Sequence, residues 1–265
     1  MDPARSSGRG RKLTAVDRTQ DVRCENGTTA LPTLDSVSDA LPHIGTLREK
    51  PLHASLKRWY ARPGDRIEVP VAGFVIDLVR ADVLIEIQTK GFSSLKKKTT
   101  SLLELGHRVR IVHSIPINKW IVKIDADGTI LSRRRSPKHG QPTDVFAELV
   151  SFPEFLIHPH LEVDVLLTIE EEYWVYTPGV AWRRKGWTIV ERRLIDVLDS
   201  VALNGAEDLI RLMPDGLSET FTTADLAHKL GRPRSAAQQM AYCLRKAGVL
   251  VAVGKRGNNV EYRVG

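Results

Sequence analysis

Apolar positions recur along this chain at two spacings, and the switches between them mark out its elements. Leu52, Leu56 and Trp59 fall at helical spacing, with Pro51 where a first turn accepts it. After the turn at Arg62-Pro63-Gly64-Asp65 the period shortens. Strands are predicted over 67–71, 74–80 and 83–89, separated by turns at Ala72-Gly73 and Ala81-Asp82, as an antiparallel meander. Phe92, Leu95, Thr99, Leu102 and Leu103 then form the inner stripe of a helix over 92–106 that Gly106 can close. The apolar run Val109-Arg110-Ile111-Val112-His113 follows, and strand, helix, strand implies a crossover with parallel pairing. A hairpin over 119–134 around Asp127-Gly128, a helix over 143–150 and a strand over 161–169 complete a first domain of 46–175. Ile189, Leu194, Val197, Leu198 and Val201 read as the apolar face of a helix over 188–203, so 176–205 is expected to be a linker with a connecting helix. The last domain, 206–265, opens a helix at the capping box Thr222-Thr223-Ala224-Asp225 and stops it at Gly231-Arg232-Pro233. A second helix then runs from Ser235 to Lys246, and a hairpin turns at 254–259.

Composition narrows the class. Residues 1–45 are rich in Gly, Ser, Thr and mixed charge without periodicity, and are expected to form a disordered tail. With 265 residues and 42% hydrophobic content, the remainder can build a large core. No apolar run approaches the length of a membrane span and no signal-peptide core is present, which points to a cytoplasmic protein without a membrane partner. Cys24 and Cys243 are too few for a disulfide framework or a four-cysteine zinc site. No phosphate-cradling Gly-rich loop occurs, so no nucleotide cofactor is expected. The net charge of +7 is uneven: residues 80–140 carry thirteen Lys/Arg against five Asp/Glu, a balance suited to DNA.

That basic stretch surrounds acids in apolar strands. Asp77 sits between Ile76 and Leu78, and Glu86 between Ile85 and Ile87. Strand parity puts Glu86, Gln88 and Lys90 on one face and Val83, Ile85, Ile87 and Thr89 on the other. A buried carboxylate costs several kcal/mol unless it is paired or holds a metal. Two carboxylates on neighbouring strands suit Mg²⁺ (or Mn²⁺), which takes its other ligands from water and phosphate. The competing reading has Glu68 and Glu86 facing solvent and Asp77 paired with Arg80 or Lys90. Asp in one strand, Glu-x-Gln in the next, then a helix and a strand, resembles the core of the PD-(D/E)xK nuclease superfamily. The resemblance implies an α/β, restriction-endonuclease-like mixed sheet flanked by helices, and metal ligation by Asp77 and Glu86. It also implies an acid from the first helix, for which Glu49 is the candidate, with Glu68 as a further contributor. Gln88 stands where the motif has lysine, so Lys90, or Lys97 or Lys98 on the helix, would supply the positive charge.

The C-terminal helix, turn, helix and hairpin resemble a winged helix-turn-helix domain. Arg234 just before its second helix, and Gln238, Gln239 and Arg245 on it, are candidate base readers, with Lys97, Lys98, Lys255 and Arg256 as candidate phosphate contacts. Met240, Ala241 and Leu244 form the core face of that helix. His158-Pro159-His160 lacks a third ligand at metal spacing and reads as a loop. The expected function is a metal-dependent DNA endonuclease targeted by a winged-helix domain. The alternative is a non-catalytic DNA-binding regulator or complex subunit with a degenerate nuclease fold. A homodimer is left open.

Overall fold

The computed structural model describes residues 50–265. Helix α1 (Pro51–Tyr60) leads into three short strands, β1 (Arg66–Val71), β2 (Phe74–Arg80) and β3 (Val83–Gln88). Helix α2 (Lys96–Glu104) crosses over to β4 (Arg108–Ile124), which turns back into β5 (Ile130–Arg135). A one-turn helix α3 (Phe146–Leu149) precedes two long strands, β6 (Leu161–Tyr176) and β7 (Trp187–Leu203). The sheet runs β1-β2-β3-β4-β6-β7, with β5 paired to the far half of β4. Its first three strands are antiparallel, β3–β4 and β4–β6 are parallel, and β6–β7 is antiparallel.

Each face of the proximal half of this mixed sheet is covered by a helix, as parity demands. Leu52 and Leu56 of α1 pack on Leu78, Ile85, Ile87, Val112 and Leu166. Phe92, Leu95, Leu102 and Leu103, in and before α2, pack on the opposite face with Leu84, Val109, Ile111, Val163 and Val165. The C-terminal elements α4 (Ala206–Arg211), β8 (Phe221–Thr222), α5 (Thr223–Leu230), α6 (Arg234–Lys246), β9 (Leu250–Arg256) and β10 (Asn259–Val264) form a helix, turn, helix and hairpin. Thr222 caps α5, accepting from the Asp225 amide while Asp225 accepts from the Thr222 amide. The unit is docked onto the sheet. Met240, Ala241, Cys243 and Leu244 share one apolar core with Phe146 and Leu149, and Arg232 pairs with Asp144. Among the described residues no helix is long and apolar enough to cross a membrane.

Two expectations are corrected. The strand placed at 161–169 continues to Tyr176, and the helix expected over 188–203 is β7, so the sheet extends through the segment read as a linker. The register shows why the pattern misled. Val190, Ile195 and Leu198 are each skipped in the β6 pairing, so three bulges insert three residues into one strand. Each bulge resets the two-residue alternation, and the apolar positions drift into helical spacing. Thr188, Ile189, Val190, Ile195, Val197 and Val201 are β-branched, which favours the strand.

Candidate active site

The site forms where β2 and β3 part. Their ladder pairs Arg80 with Val83, Val79 with Leu84 and Leu78 with Ile85, and then stops. The next position brings Asp77 level with Glu86. There the Asp77 side chain takes over the ladder's role, with Oδ2 accepting from the Ile87 amide at 2.8 Å. On the other side of β2, pairing with β1 is interrupted at Glu68, between the Ile67–Leu78 and Val69–Ile76 pairs. Glu68 has a φ of 53°, a left-handed conformation costing a non-glycine residue about 1 kcal/mol or more. The interruption turns the Glu68 side chain to Lys57, whose Nζ donates to Oε1 at 2.9 Å.

Basic side chains reach the two central carboxylates from opposite helices. His53 and Lys57 are one turn apart on α1, and His53 Nε2 lies 3.3 Å from Asp77 Oδ2. Burial raises the Asp77 pKa, but His53, the Ile87 amide and the Lys57 charge outweigh it and hold the group below the ordinary carboxylate range. From α2, Lys98 Nζ donates to the Val75 carbonyl at 2.6 Å and lies 2.5 Å from Glu86 Oε1. Glu86 is only 5% exposed. Its Oε1 is buried without a well-directed hydrogen bond and meets Lys98 as charge against charge. Burial dominates, and the Glu86 carboxyl is pushed up to about 7 despite Lys98. The two acids therefore differ in proton affinity, with Asp77 ionised and Glu86 poised near neutrality.

The other candidate residues divide clearly. Gln88 points away from the acids, its amide donating to the Gly91 carbonyl at 2.8 Å and to Ser94 Oγ at 2.9 Å, so it fastens the connection from β3 to α2. Lys90 lies against Lys50 rather than Glu86, and contact with that second ammonium lowers its pKa. Lys97 is exposed on α2. Of the three lysines proposed to replace the motif's own, Lys98 is the one at the carboxylates. Glu49 lies outside the described residues. His53 and Lys57 were not anticipated, although their i, i+4 spacing on the helix leading into the acidic strands is a usable signal.

On the C-terminal unit, Arg234, Gln238 and Arg245 line a cavity of about 330 Å³ between α6 and the β9–β10 hairpin. Tyr242, Asn258 and Asn259, absent from the sequence reading, join them there. Arg234 already donates to the Asn259 side chain. Gln239 is half-buried outside that lining. Arg256 is held by Glu261 and Asp225, while Lys255 stands exposed.

The donor set sets limits on a metal. Among the described residues no group of three or more His, Cys, Asp and Glu side chains could hold an ion alone. Asp77 and Glu86 supply two carboxylates, one with a buried oxygen that has no directed hydrogen bond. That set fits a hard cation such as Mg²⁺, which completes its shell with water and phosphate oxygen. It does not fit a structural zinc site.

A family model described as "Domain of unknown function (DUF8091)" matches residues 50–204, a span that includes β7. An "Uncharacterized protein" of Treponema pallidum (strain Nichols) is 30% identical over 221 residues, covering 83% of this chain and 87% of that protein. No solved structure matches the chain.

Proposed function

The chain belongs to the family described as Domain of unknown function (DUF8091), and we propose that this member is a metal-dependent nuclease hydrolysing phosphodiester bonds in DNA. The observation that carries the reading is the meeting of Asp77, Glu86 and Lys98 where β2 and β3 part. They meet within the element order of the PD-(D/E)xK core: helix, three antiparallel strands, helix, parallel strand. Lys98 supplies the cation that Gln88 cannot, arriving from α2 rather than from β3.

Asp77 and Glu86 would hold Mg²⁺ or Mn²⁺. When bound, such an ion polarises a phosphoryl oxygen and lowers the pKa of an attacking water. Lys98 places its ammonium beside Glu86, where it can stabilise negative charge developing on the phosphate. His53 fixes the orientation of Asp77. The C-terminal unit has the helix, turn, helix and hairpin layout of a winged helix. Gln238, Tyr242 and Arg245 form its outward face and would present the domain to DNA. Incubation with plasmid and branched DNA in Mg²⁺ or Mn²⁺ is the test, wild type against Asp77→Ala. Cleavage is expected only from the wild type, and equal activity in both proteins would sink the reading.

One observation favours a second reading, a non-catalytic DNA-binding protein on a degenerate nuclease fold. Both carboxylates are already engaged by basic side chains, Asp77 by His53 and Glu86 by Lys98. That reading expects DNA binding without cleavage under every metal tested.

A further inference from the structure

The geometry points to a second phosphate-binding element: an open cleft of about 810 Å³ between the sheet and the start of α6 that seats the backbone of a nucleic-acid strand beside the carboxylate site. It deepens the nucleic-acid reading above and rests on it. The cleft lies at the carboxyl end of β3, beside the stretch of β4 that pairs with it, where Thr89, His113 and Ser114 contribute to its wall. His113 Nδ1 meets the Gln88 carbonyl at 2.6 Å, so this wall is bonded to the residue two positions from Glu86. The other wall comes from 137–141 and from Arg232 and Pro233 ahead of α6. Gly140 lets that wall close on β4. A Cβ there would come within 2.6 Å of Ile115 Cγ2 and 2.7 Å of the Pro116 carbonyl oxygen.

The cleft is lined by Lys119, Lys138, Arg192 and Arg232 against Asp144 and Glu148. Lys119 and Arg192 both pair with Glu172, at 2.9 and 3.4 Å, and both also act on the buried Glu170. Arg232 is matched by Asp144, and Glu148 adds one negative charge. Lys138 is exposed on the rim and pairs with no carboxylate among the described residues. Lys90, exposed and next in sequence to the lining residue Thr89, lies close to Lys50. Cations held close to one another raise the energy of the empty protein, and an anion relieves it. Among the described residues the walls carry no Trp, Tyr or Phe. A ligand would therefore be gripped through its phosphates rather than by stacking of its bases.

The test measures binding with the chemistry switched off. The full chain is titrated against fluorescently labelled single-stranded and duplex oligonucleotides in EDTA over a salt series. Wild type is compared with Lys90→Gln/Lys138→Gln, both exposed positions, and with Arg58→Gln/Arg66→Gln, which removes the same charge elsewhere. Loss of two phosphate contacts should weaken binding roughly ten- to hundredfold at moderate salt and flatten the log–log salt slope by about 1.5. The Arg58/Arg66 variant should stay close to wild type. An equal fall in both variants would reduce the cleft to net charge and overturn the proposal. Pyrophosphate binding without oligonucleotide binding would assign the cleft to a small anion, and displacement of DNA by polyglutamate at equal charge would assign it to acidic protein. Either result also overturns the proposal. The two readings fail separately. Selective loss of binding without metal-dependent cleavage keeps the cleft and removes the nuclease, whereas cleavage with unchanged Lys90/Lys138 binding does the reverse.

Discussion

Replacing Glu86 with Gln should change how stability depends on pH. In the folded protein this carboxyl is pushed from its ordinary 4.5 up to about 7, because burial outweighs the Lys98 contact. An acid whose folded pKa is raised binds its proton more tightly in the native state. Its contribution is therefore fully present below 4.5 and is lost as pH rises toward 7. At 1.36 kcal/mol per pKa unit the loss is roughly 3 kcal/mol, with little discount for solvent because the side chain is buried. That is a large share of a typical folding free energy of about 5–15 kcal/mol. Urea unfolding of wild type and Glu86→Gln in EDTA, across this range, gives the difference directly. Wild-type stability relative to the variant should fall by roughly 3 kcal/mol between the two pKa values and then level off. Added Mg²⁺ should recover part of the loss on the neutral side, since an ion on Asp77 and Glu86 competes with the proton. Asp77→Asn should show the opposite sign. The folded pKa of Asp77 is lowered, so its contribution is held above the ordinary 3.8 and lost on further acidification. A flat wild-type minus Glu86→Gln difference would mean that Glu86 titrates as in water, and the account of a closed carboxylate site would fall.

Lys98→Met should cut cleavage by at least about a hundredfold, whereas Gln88→Ala should stay within about tenfold of wild type and cost about 1 kcal/mol of stability. Equal inactivation by the two, in initial-rate assays, would place Gln88 in the chemistry beside Lys98 and refute its assignment to fastening the connection from β3 to α2. Gly140→Ala should destabilise by about 1–3 kcal/mol, read from urea midpoints, because one of its clashes is with backbone and cannot be relieved by a rotamer change. Phe92→Ala should cost about 3–5 kcal/mol in the same assay, since Phe92 is fully buried, stacked on Phe152 and edge-on to His113. A loss below about 1 kcal/mol would show that the layer beneath α2 is loosely packed.

What the sequence disclosed depended on how local the signal was. The order from β2 through α2 to β4, and the α5–α6 unit with its Thr222 cap, rest on spacing and capping within a few residues, and both could be read directly. Asp77 and Glu86 were legible because an acid between two isoleucines or leucines demands an account. The lysine was not, since Lys90, Lys97 and Lys98 are equivalent as letters. Only the seating of α2 over the sheet decides which ammonium meets Glu86. The run Glu170-Glu171-Glu172 is buried, and nothing local in the sequence names its partners. Its charges are met by Lys119, Arg192 and Arg133 from neighbouring strands and by the Thr168 hydroxyl, pairings that arise only when β4, β5, β6 and β7 come together. β7 was lost for a different reason, because its bulges erase the alternation on which a strand is recognised.

Those bulges also bear on how the molecule behaves in a crowded solution. β7 closes the sheet and is seventeen residues long, a length of open edge onto which another chain could zip. The bulges at Val190, Ile195 and Leu198 cut that edge into short, twisted segments. Just past two of them, the Asp196 and Asp199 carboxylates accept from the amides of Val197 and Ser200, occupying donors beside the breaks and setting negative charge along the rim. Irregularity that obscured the strand in the sequence thus shortens the regular edge offered to another chain. Straightening β7 by deleting its three extra residues would be expected to yield a chain that folds with its longest edge open to its own copies.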